Sequence, residues 1–282
     1  TRGLSTKYGD HRVRSTPIAE QSIMGAAIGV AMAGYKPVAE IMLMNFTTVA
    51  MDMIVNHAAK LRFMSGGQSS VPLVVRTVTG SGMCIGGQHS DHLEAWFAHV
   101  PGLKVVAPSN AADAYGLLLG SIADPDPVIF IENLLLVATG AKQPIGKPGE
   151  AIPLGKARCA REGKDITVVA YSRTVSESLV AAEALKSDGI SVEVIDLRTV
   201  LPWDRDAVLA SGAKTGRVLV VHEAVKEFGV GAEIAAEVSE ALFGKLKAPV
   251  RRLGAPFAPV PFSPPLDKVY ATHAAQIGDT IK

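Results

Sequence analysis

Apolar residues along this chain fall into short, near-continuous runs separated by longer periodic stretches. Residues 37–43, 71–77, 104–107 and 127–132 form such runs. Near-continuous apolarity over so few positions predicts parallel strands covered on both faces. Residues 47–62, 92–99 and 111–123 lie between them and read as helices. The stretch 138–155, "ATGAKQPIGKPGEAIPLG", breaks the pattern: it is aperiodic and rich in Gly, Pro and Lys, which predicts a linker. A second series follows, with strands at 166–171, 192–197, 218–223 and 250–253 and helices at 175–187 and 231–243. The simplest account is an α/β protein of two domains with mostly parallel sheets, 1–137 and 156–282, joined by the linker 138–155.

One helical stretch departs from the usual two-faced pattern. In "STPIAEQSIMGAAIGVAMAGYKPVAEI", which runs from residue 15 to 41, Thr16 and Pro17 read as a helix start and Gly34 as its stop. Between them lie Gly25, Ala26, Ala27, Gly29, Ala31 and Ala33, with Ile and Met in most of the gaps. A helix without a polar face is expected to be buried on all sides, and its small residues predict a close approach by another backbone. Glu20, a carboxylate in the first turn, stands out in this setting. The helix dipole favours an acid there. A capping box seeded by Thr16 would need its acid at position 19, which is Ala. A dipole role and a functional role are both open on these grounds.

Composition narrows the classes. The 282 residues are 48% hydrophobic, enough for a sizeable core. With 28 basic and 27 acidic residues the net charge is +1, which offers no electrostatic footprint for nucleic acid or an anionic membrane. Cys84 and Cys159 are distant and form no CxxC, so they read as free thiols in a reducing compartment. The longest apolar stretch, residues 23–33, is too short and too glycine-rich to span a bilayer. No signal-peptide pattern is visible, although the chain starts at Thr1. The expected location is cytoplasmic, as in bacteria, or the mitochondrial matrix if a transit peptide precedes Thr1.

Candidate chemistry concentrates in "GGQHSDHLEAWFAH", which holds His89, His92 and His99. A zinc site built on His89-x-x-His92 would need further ligands at metal spacing, and none lies nearby. His92 and His99, on either side of Trp96, read as helix-surface or core-edge residues. His89 follows the glycine-rich stretch "TGSGMCIGGQ" (79–88) after a strand, where α/β sheets place their catalytic groups. A histidine there can act as a general acid–base near neutral pH. Phe46 stands just after a strand at the start of a helix, where a core aromatic is the ordinary expectation. Met42, Met44, Met51 and Met53 read as gap fillers in a core. The usual nucleotide and hydrolase signatures, GxxxxGK[ST], a helix-opening GxGxxG and GxSxG, do not occur.

"TPIAEQSIMGAAIGVAMAGYKPVAEI", "FMSGGQSSVPLVVRT", "GGQHSDHLEAWFAHVPGLKVVAPSNAADAYGLL" and "DPDPVIFIEN" together resemble one family, as do "VIDLRTVLPWD", "VVHEA" and "APFAPVPFSPPLDKVY" in the second half. It is the β chain of the thiamine-diphosphate-dependent 2-oxo acid dehydrogenases, the decarboxylating component of the pyruvate, branched-chain and acetoin dehydrogenase complexes. The resemblance covers essentially the whole chain. It implies a transketolase-like pyrimidine-binding domain followed by a transketolase C-terminal-like domain. Glu20 would hydrogen-bond N1′ of the cofactor's aminopyrimidine and favour the imino tautomer that removes the thiazolium C2 proton. Phe46 would stack on the aminopyrimidine, with Ile18 and Met42 lining its pocket. His89 would assist proton transfer as the acyl group passes to lipoamide. The family usually has Gln two residues after this histidine and this chain has Asp91, which leaves the hydrogen bonding around His89 open.

The resemblance implies partners as well. The fold family usually holds the cofactor's diphosphate through Gly-Asp-Gly, and no such triplet occurs here. An α subunit carrying that motif and Mg²⁺ is therefore expected to complete the site in an α2β2 assembly, docked on a lipoyl acyltransferase core. Some members hold a potassium ion, and the matching positions are Leu73, Ser121, Ile122, Asp124 and Asp126. Family members also begin some tens of residues earlier, with a further strand and an acidic residue near the cofactor. A pyruvate-like 2-oxo acid is the foremost substrate expected. The competing readings are half of a split transketolase or deoxyxylulose-phosphate synthase, or a non-catalytic partner of the same fold.

Overall fold

The computed structural model describes residues 3–140 and 144–282; positions 141–143 of the expected linker lie outside the described residues. Among the described residues ten strands form two five-stranded sheets: β1 (Val38–Leu43), β2 (Val74–Thr79), β3 (Lys104–Val106), β4 (Val128–Asn133), β5 (Arg158–Arg161), β6 (Ile166–Ala170), β7 (Val192–Asp196), β8 (Thr199–Leu201), β9 (Val218–Val225) and β10 (Arg251–Ala255). The first sheet has the order β1-β2-β4-β3-β8 and the second β10-β9-β6-β7-β5. Pairing is parallel except at one edge of each sheet, where β8 runs antiparallel to β3 and β5 antiparallel to β7. Both sheets are thus mostly parallel, as the apolar runs predicted.

Neither β5, four residues and polar, nor β8, only three residues long, announces itself in the sequence. β8 is the more consequential. It follows β7 in the second half of the chain but adds to the edge of the first sheet. Its entry turns on Arg198, which takes the left-handed conformation (φ 60°). The two halves also share one continuous core: Met24, Ile41, Ile54, Val75 and Ile129 from the first half join Val169, Leu197, Val220 and Ile234 from the second. The C-terminal half is in this way bonded and packed into the half that carries His89.

The helix expected to start at Thr16 begins three to four residues later, at Glu20, and ends before Gly34, whose φ is +92°. It is not buried on all sides. Met24, Ala27, Ile28 and Ala31 face the core at the spacing of one helical stripe. Ser22, Ala26, Gly29 and Ala33 form the opposite stripe and are exposed. The hydrophobicity of the outer face misled the pattern, because apolar residues there are covered by nothing in this chain.

After β1 the backbone winds tightly. Met44–Ala50 is a 3₁₀ segment and Met53–Ala58 a π segment, together replacing most of the helix expected at 47–62. Buried Met44, Thr47 and Ala50 recur every three residues, then Ile54 and Ala58 every four, so the core-facing line follows the change of pitch. The Thr47 and Thr48 hydroxyls donate to the carbonyls three residues back, of Met44 (2.6 Å) and Asn45 (2.7 Å), which suits the tighter winding. Among the described residues no helix is long and apolar enough to cross a membrane.

Candidate active site

Parallel strands deliver the loops that follow them to one edge of the sheet. β1 and β2 are neighbours, so the Met44–Ala50 segment after β1 and the 80–88 loop after β2 meet there. The result is a ring contact: Phe46 and His89 lie 5.6 Å apart, edge to face at 79°. The Glu20–Met32 helix ends beside the start of β1 and packs against both that strand and the Met44–Ala50 segment. A helix returning in this way puts its N-terminus, and so Glu20, at the same edge as Phe46 and His89.

Asn45 and Asp91 lock this corner. The Asn45 amide donates to Asp91 Oδ2 (2.7 Å) and to the Gly87 carbonyl (3.0 Å), and its oxygen accepts from the Asp91 backbone N–H (3.1 Å). Thr79 Oγ1 donates to the Asp91 carbonyl. Asp91 therefore holds the short Gly87–Ser90 helical turn against the Phe46 segment. His89 Nδ1 is buried without a hydrogen-bond partner among the described residues.

The second half of the chain supports the 80–88 loop from the other side. Asp267 Oδ1 accepts from the Gly82 N–H (3.0 Å) and Oδ2 from the Cys84 N–H (2.8 Å), and Cys84 itself is left-handed (φ 56°). A carboxylate fixing two amides is the kind of constraint that holds such a conformation. Gly86 (φ +77°) is required twice over: a Cβ there would fall 2.3 Å from the Phe262 ring. His92 was expected on a helix surface or core edge. Its side chain is instead 4% exposed, in a polar cluster with Glu94 and Glu223 between the halves. His99 is exposed.

The fit to an aminopyrimidine can be tested on these residues. Ile18 is 93% and Met42 71% exposed, so two large apolar side chains stand open at this edge. Glu20 makes no hydrogen bond or ion pair with the described residues. A free carboxyl, an aromatic ring, exposed apolar walls and an unpartnered buried ring nitrogen suit a planar heteroaromatic with polar ring atoms.

The potassium positions are arranged differently. Lys104 Nζ lies 2.7 Å from both oxygens of Asp124 and 3.3 Å from Asp126, and Arg62 pairs with Asp126 at 2.6 Å. The Leu73 carbonyl accepts from the Val128 N–H (2.8 Å) and the Ser121 carbonyl from the Asp124 N–H (3.3 Å). Fixed ammonium and guanidinium groups already neutralise these two carboxylates, so the side chains do not fit a further cation. Among the described residues the one group of His, Cys, Asp and Glu with metal-ligand proximity is Cys159, Glu162 and Glu193, and there Lys214 already bonds Glu193.

Two family models match the chain: the transketolase pyrimidine-binding domain over residues 1–138 and the transketolase C-terminal domain over 155–277. A solved split-gene transketolase, described as an inactive β4 tetramer, superposes with a TM-score of 0.80 over 100% of this chain and 87% of its own. At 23% identity this establishes the fold. The fold and these two models define a transketolase-like protein made of a pyrimidine-binding domain and a C-terminal domain. The chain is 46% identical to the pyruvate dehydrogenase E1 component subunit β-2 of Oryza sativa, covering 100% of this chain and 75% of that protein. It is 45% identical to the acetoin:2,6-dichlorophenolindophenol oxidoreductase subunit β of Cupriavidus necator, covering 98% and 81%. The chain belongs to the family of the β subunits of the 2-oxo acid and acetoin dehydrogenases.

Proposed function

We propose that the corner formed by Glu20, Phe46 and His89 is the aminopyrimidine half of a thiamine diphosphate site, completed by an α subunit that carries the diphosphate and Mg²⁺. The bound cofactor would supply the electron sink for decarboxylating a 2-oxo acid. The observation that carries the reading is Glu20: a carboxyl without a partner among the described residues, at the edge where Phe46 and His89 meet. Glu20 would share a proton with N1′ of the pyrimidine. Phe46 would cover one ring face, and Ile18 and Met42 would exclude water from the rim. His89, with its ring oriented by Phe46 and its turn fixed by Asn45–Asp91, would hold or move a proton during acyl transfer to the lipoyl group of an acyltransferase core.

The exposed stripe Ser22–Ala26–Gly29–Ala33 supports a two-chain site. A Cβ built on Gly29 meets nothing within 4 Å, so the chain's own packing does not require glycine there. Glycine inside a helix costs about 1 kcal/mol relative to Ala. A second polypeptide approaching closely would account for it. The test is activity of the reconstituted pair: with an α chain bearing Gly-Asp-Gly, decarboxylation of pyruvate, a branched 2-oxo acid or acetoin cleavage is expected. Inactivity of a folded, assembled pair on all three would sink the reading.

A further inference from the structure

The cluster joining the site loop to the second half of the chain contains an imbalance of charge. Glu94 and Glu223 are each 2% exposed, and Glu177 is the third carboxylate. Arg173 is the guanidinium among them. It donates from Nε to Glu223 Oε1 (2.7 Å), from Nη1 to Glu177 Oε1 (2.9 Å) and from Nη2 to the Thr272 carbonyl (3.0 Å). Asn133 Nδ2 donates to Glu223 Oε2 (2.8 Å), and Ser81 Oγ is 3.5 Å from Oε1. None of these reaches Glu94. Its side-chain partner is His92, whose Nδ1 lies 3.3 Å from Glu94 Oε1, while Nε2 lies 4.0 Å from Glu223 Oε1. A buried carboxylate without a counter-charge is expensive.

We propose that His92 is a positioning residue: as an imidazolium it hydrogen-bonds Glu94 through Nδ1 and pairs by charge with Glu223, 4.0 Å from its otherwise unpartnered Nε2, and so clasps the turn that carries His89 to the C-terminal half of the chain. His92 stands two residues beyond the Gly87–Ser90 turn, and Asp91 between them is tied to Asn45. Glu223 belongs to β9, the partner of β6 and β10 in the second sheet. The bridge therefore runs from the catalytic turn into the centre of the other sheet, and Asp267 provides a second tie on the Gly82–Cys84 side.

The other titratable neighbours cannot take its place. His222, also on β9, is caged by Gly229, Gly231 and Gly254, and its Nδ1 donates to the Ala224 carbonyl (3.0 Å). Its burial lowers its pKa, which keeps it neutral. Tyr171, stacked on His222 at the end of β6, is held protonated by burial and by the charges of Glu94 and Glu223. For His92 itself, burial alone would lower the pKa. Glu223, together with the hydrogen bond and charge of Glu94, outweighs burial and the opposing Arg173, and raises it above the ordinary 6.5.

The inference rests on the proposed function only in taking His89 as catalytic, and its test needs no turnover. In the full chain labelled with ¹⁵N, long-range ¹H–¹⁵N spectra report the protonation of each imidazole, and His92→Gln assigns the signal. In a pH titration of these spectra the His92 midpoint is expected above the ordinary 6.5. A midpoint at or below the ordinary value would overturn the proposal. Hydrogen exchange of the amides at 86–91, corrected for intrinsic rates, supplies the second readout. His92→Leu, and His92→Gln if the former does not fold, should raise it about tenfold near neutral pH. In the wild type the protection should fall on the alkaline side as His92 loses its proton, and in the variant it should be flat. Unchanged exchange in the folded variant would also overturn the clasp. An inactive reconstituted pair with the imidazolium signal intact would count against the function and leave the clasp standing.

Discussion

Glu20 and His89 differ from most polar residues of this chain in what they lack. Glu20 has no partner among the described residues, and His89 Nδ1 is buried without one. Neither side chain is therefore holding the fold together by a hydrogen bond, and removing either should cost activity rather than stability. Glu20→Gln keeps the shape and leaves no group unpaired, so the chain's unfolding free energy should change by no more than about 0.5 kcal/mol. Decarboxylation by the α–β pair should fall by about two to four orders of magnitude, the usual loss when a positioned proton-transfer partner is removed. Denaturant unfolding and a steady-state assay check both halves, and an active Glu20→Gln pair would return the carboxylate to a helix-dipole role. His89→Ala should reduce the complete reaction with lipoamide more than decarboxylation coupled to an artificial electron acceptor. Equal losses in the two assays would place His89 in an earlier step.

At the scale of elements, the exposed stripe of the Glu20–Met32 helix and the tightly wound 44–58 segment carry the argument. Gly29→Ala should stabilise the isolated chain by roughly 0.5–1 kcal/mol, because the position is open and helical. Gly29→Leu should leave the chain folded but weaken its association with the α chain, measured by sedimentation. Association unchanged by Leu would remove this face from the interface. The same helix marks where the sequence was readable. Its stop at Gly34 and the strands that follow, β1 and β2, were legible, because a left-handed glycine and apolar runs are local signals. Its start was not, because Thr16 and Pro17 look like a cap while the chain stays non-helical to Ala19. Its burial was not, because hydrophobicity does not say which polypeptide covers a face. The Phe46–His89 pair came through a family resemblance. The geometry that joins them, neighbouring parallel strands β1 and β2, is not written near either residue. Asn45, adjacent to Phe46 in sequence, was missed for the same reason, since its partner Asp91 is 46 residues away. Asn45→Ala should expose that dependence: it leaves the Asp91 carboxylate short of a donor and should cost about 1–3 kcal/mol.

The two sheets do not behave as independent beads in the whole molecule. β8 crosses to the first sheet, the apolar core is continuous, and Glu223 and Asp267 reach back to the loop beside His89. The pH dependence of stability should reflect this junction. The raised pKa of His92 means that the folded state binds its proton more tightly than the unfolded chain. Its contribution is complete below the ordinary 6.5 and is lost as pH rises through the folded-state value. Glu94 is shifted the other way. Burial opposes the shift, and the hydrogen bond and charge of His92 prevail, so its contribution is present above the ordinary 4.5 and is lost as pH falls. Stability should therefore decline on both sides of neutrality, and His92→Gln should flatten the alkaline limb in denaturant titrations. His89 is braced from within the chain, whereas Ile18, Met42 and the outer stripe of the Glu20–Met32 helix face solvent. It also carries no Gly-Asp-Gly triplet for a diphosphate. A cofactor with two phosphates needs Mg²⁺ or a dense set of donors at that end. Calorimetric titration of the purified chain with thiamine diphosphate and Mg²⁺ should accordingly register little heat. The same titration after addition of an α chain carrying Gly-Asp-Gly should register Mg²⁺-dependent binding. Tight, Mg²⁺-dependent binding by this chain alone would show that the second half of the site is not on another polypeptide.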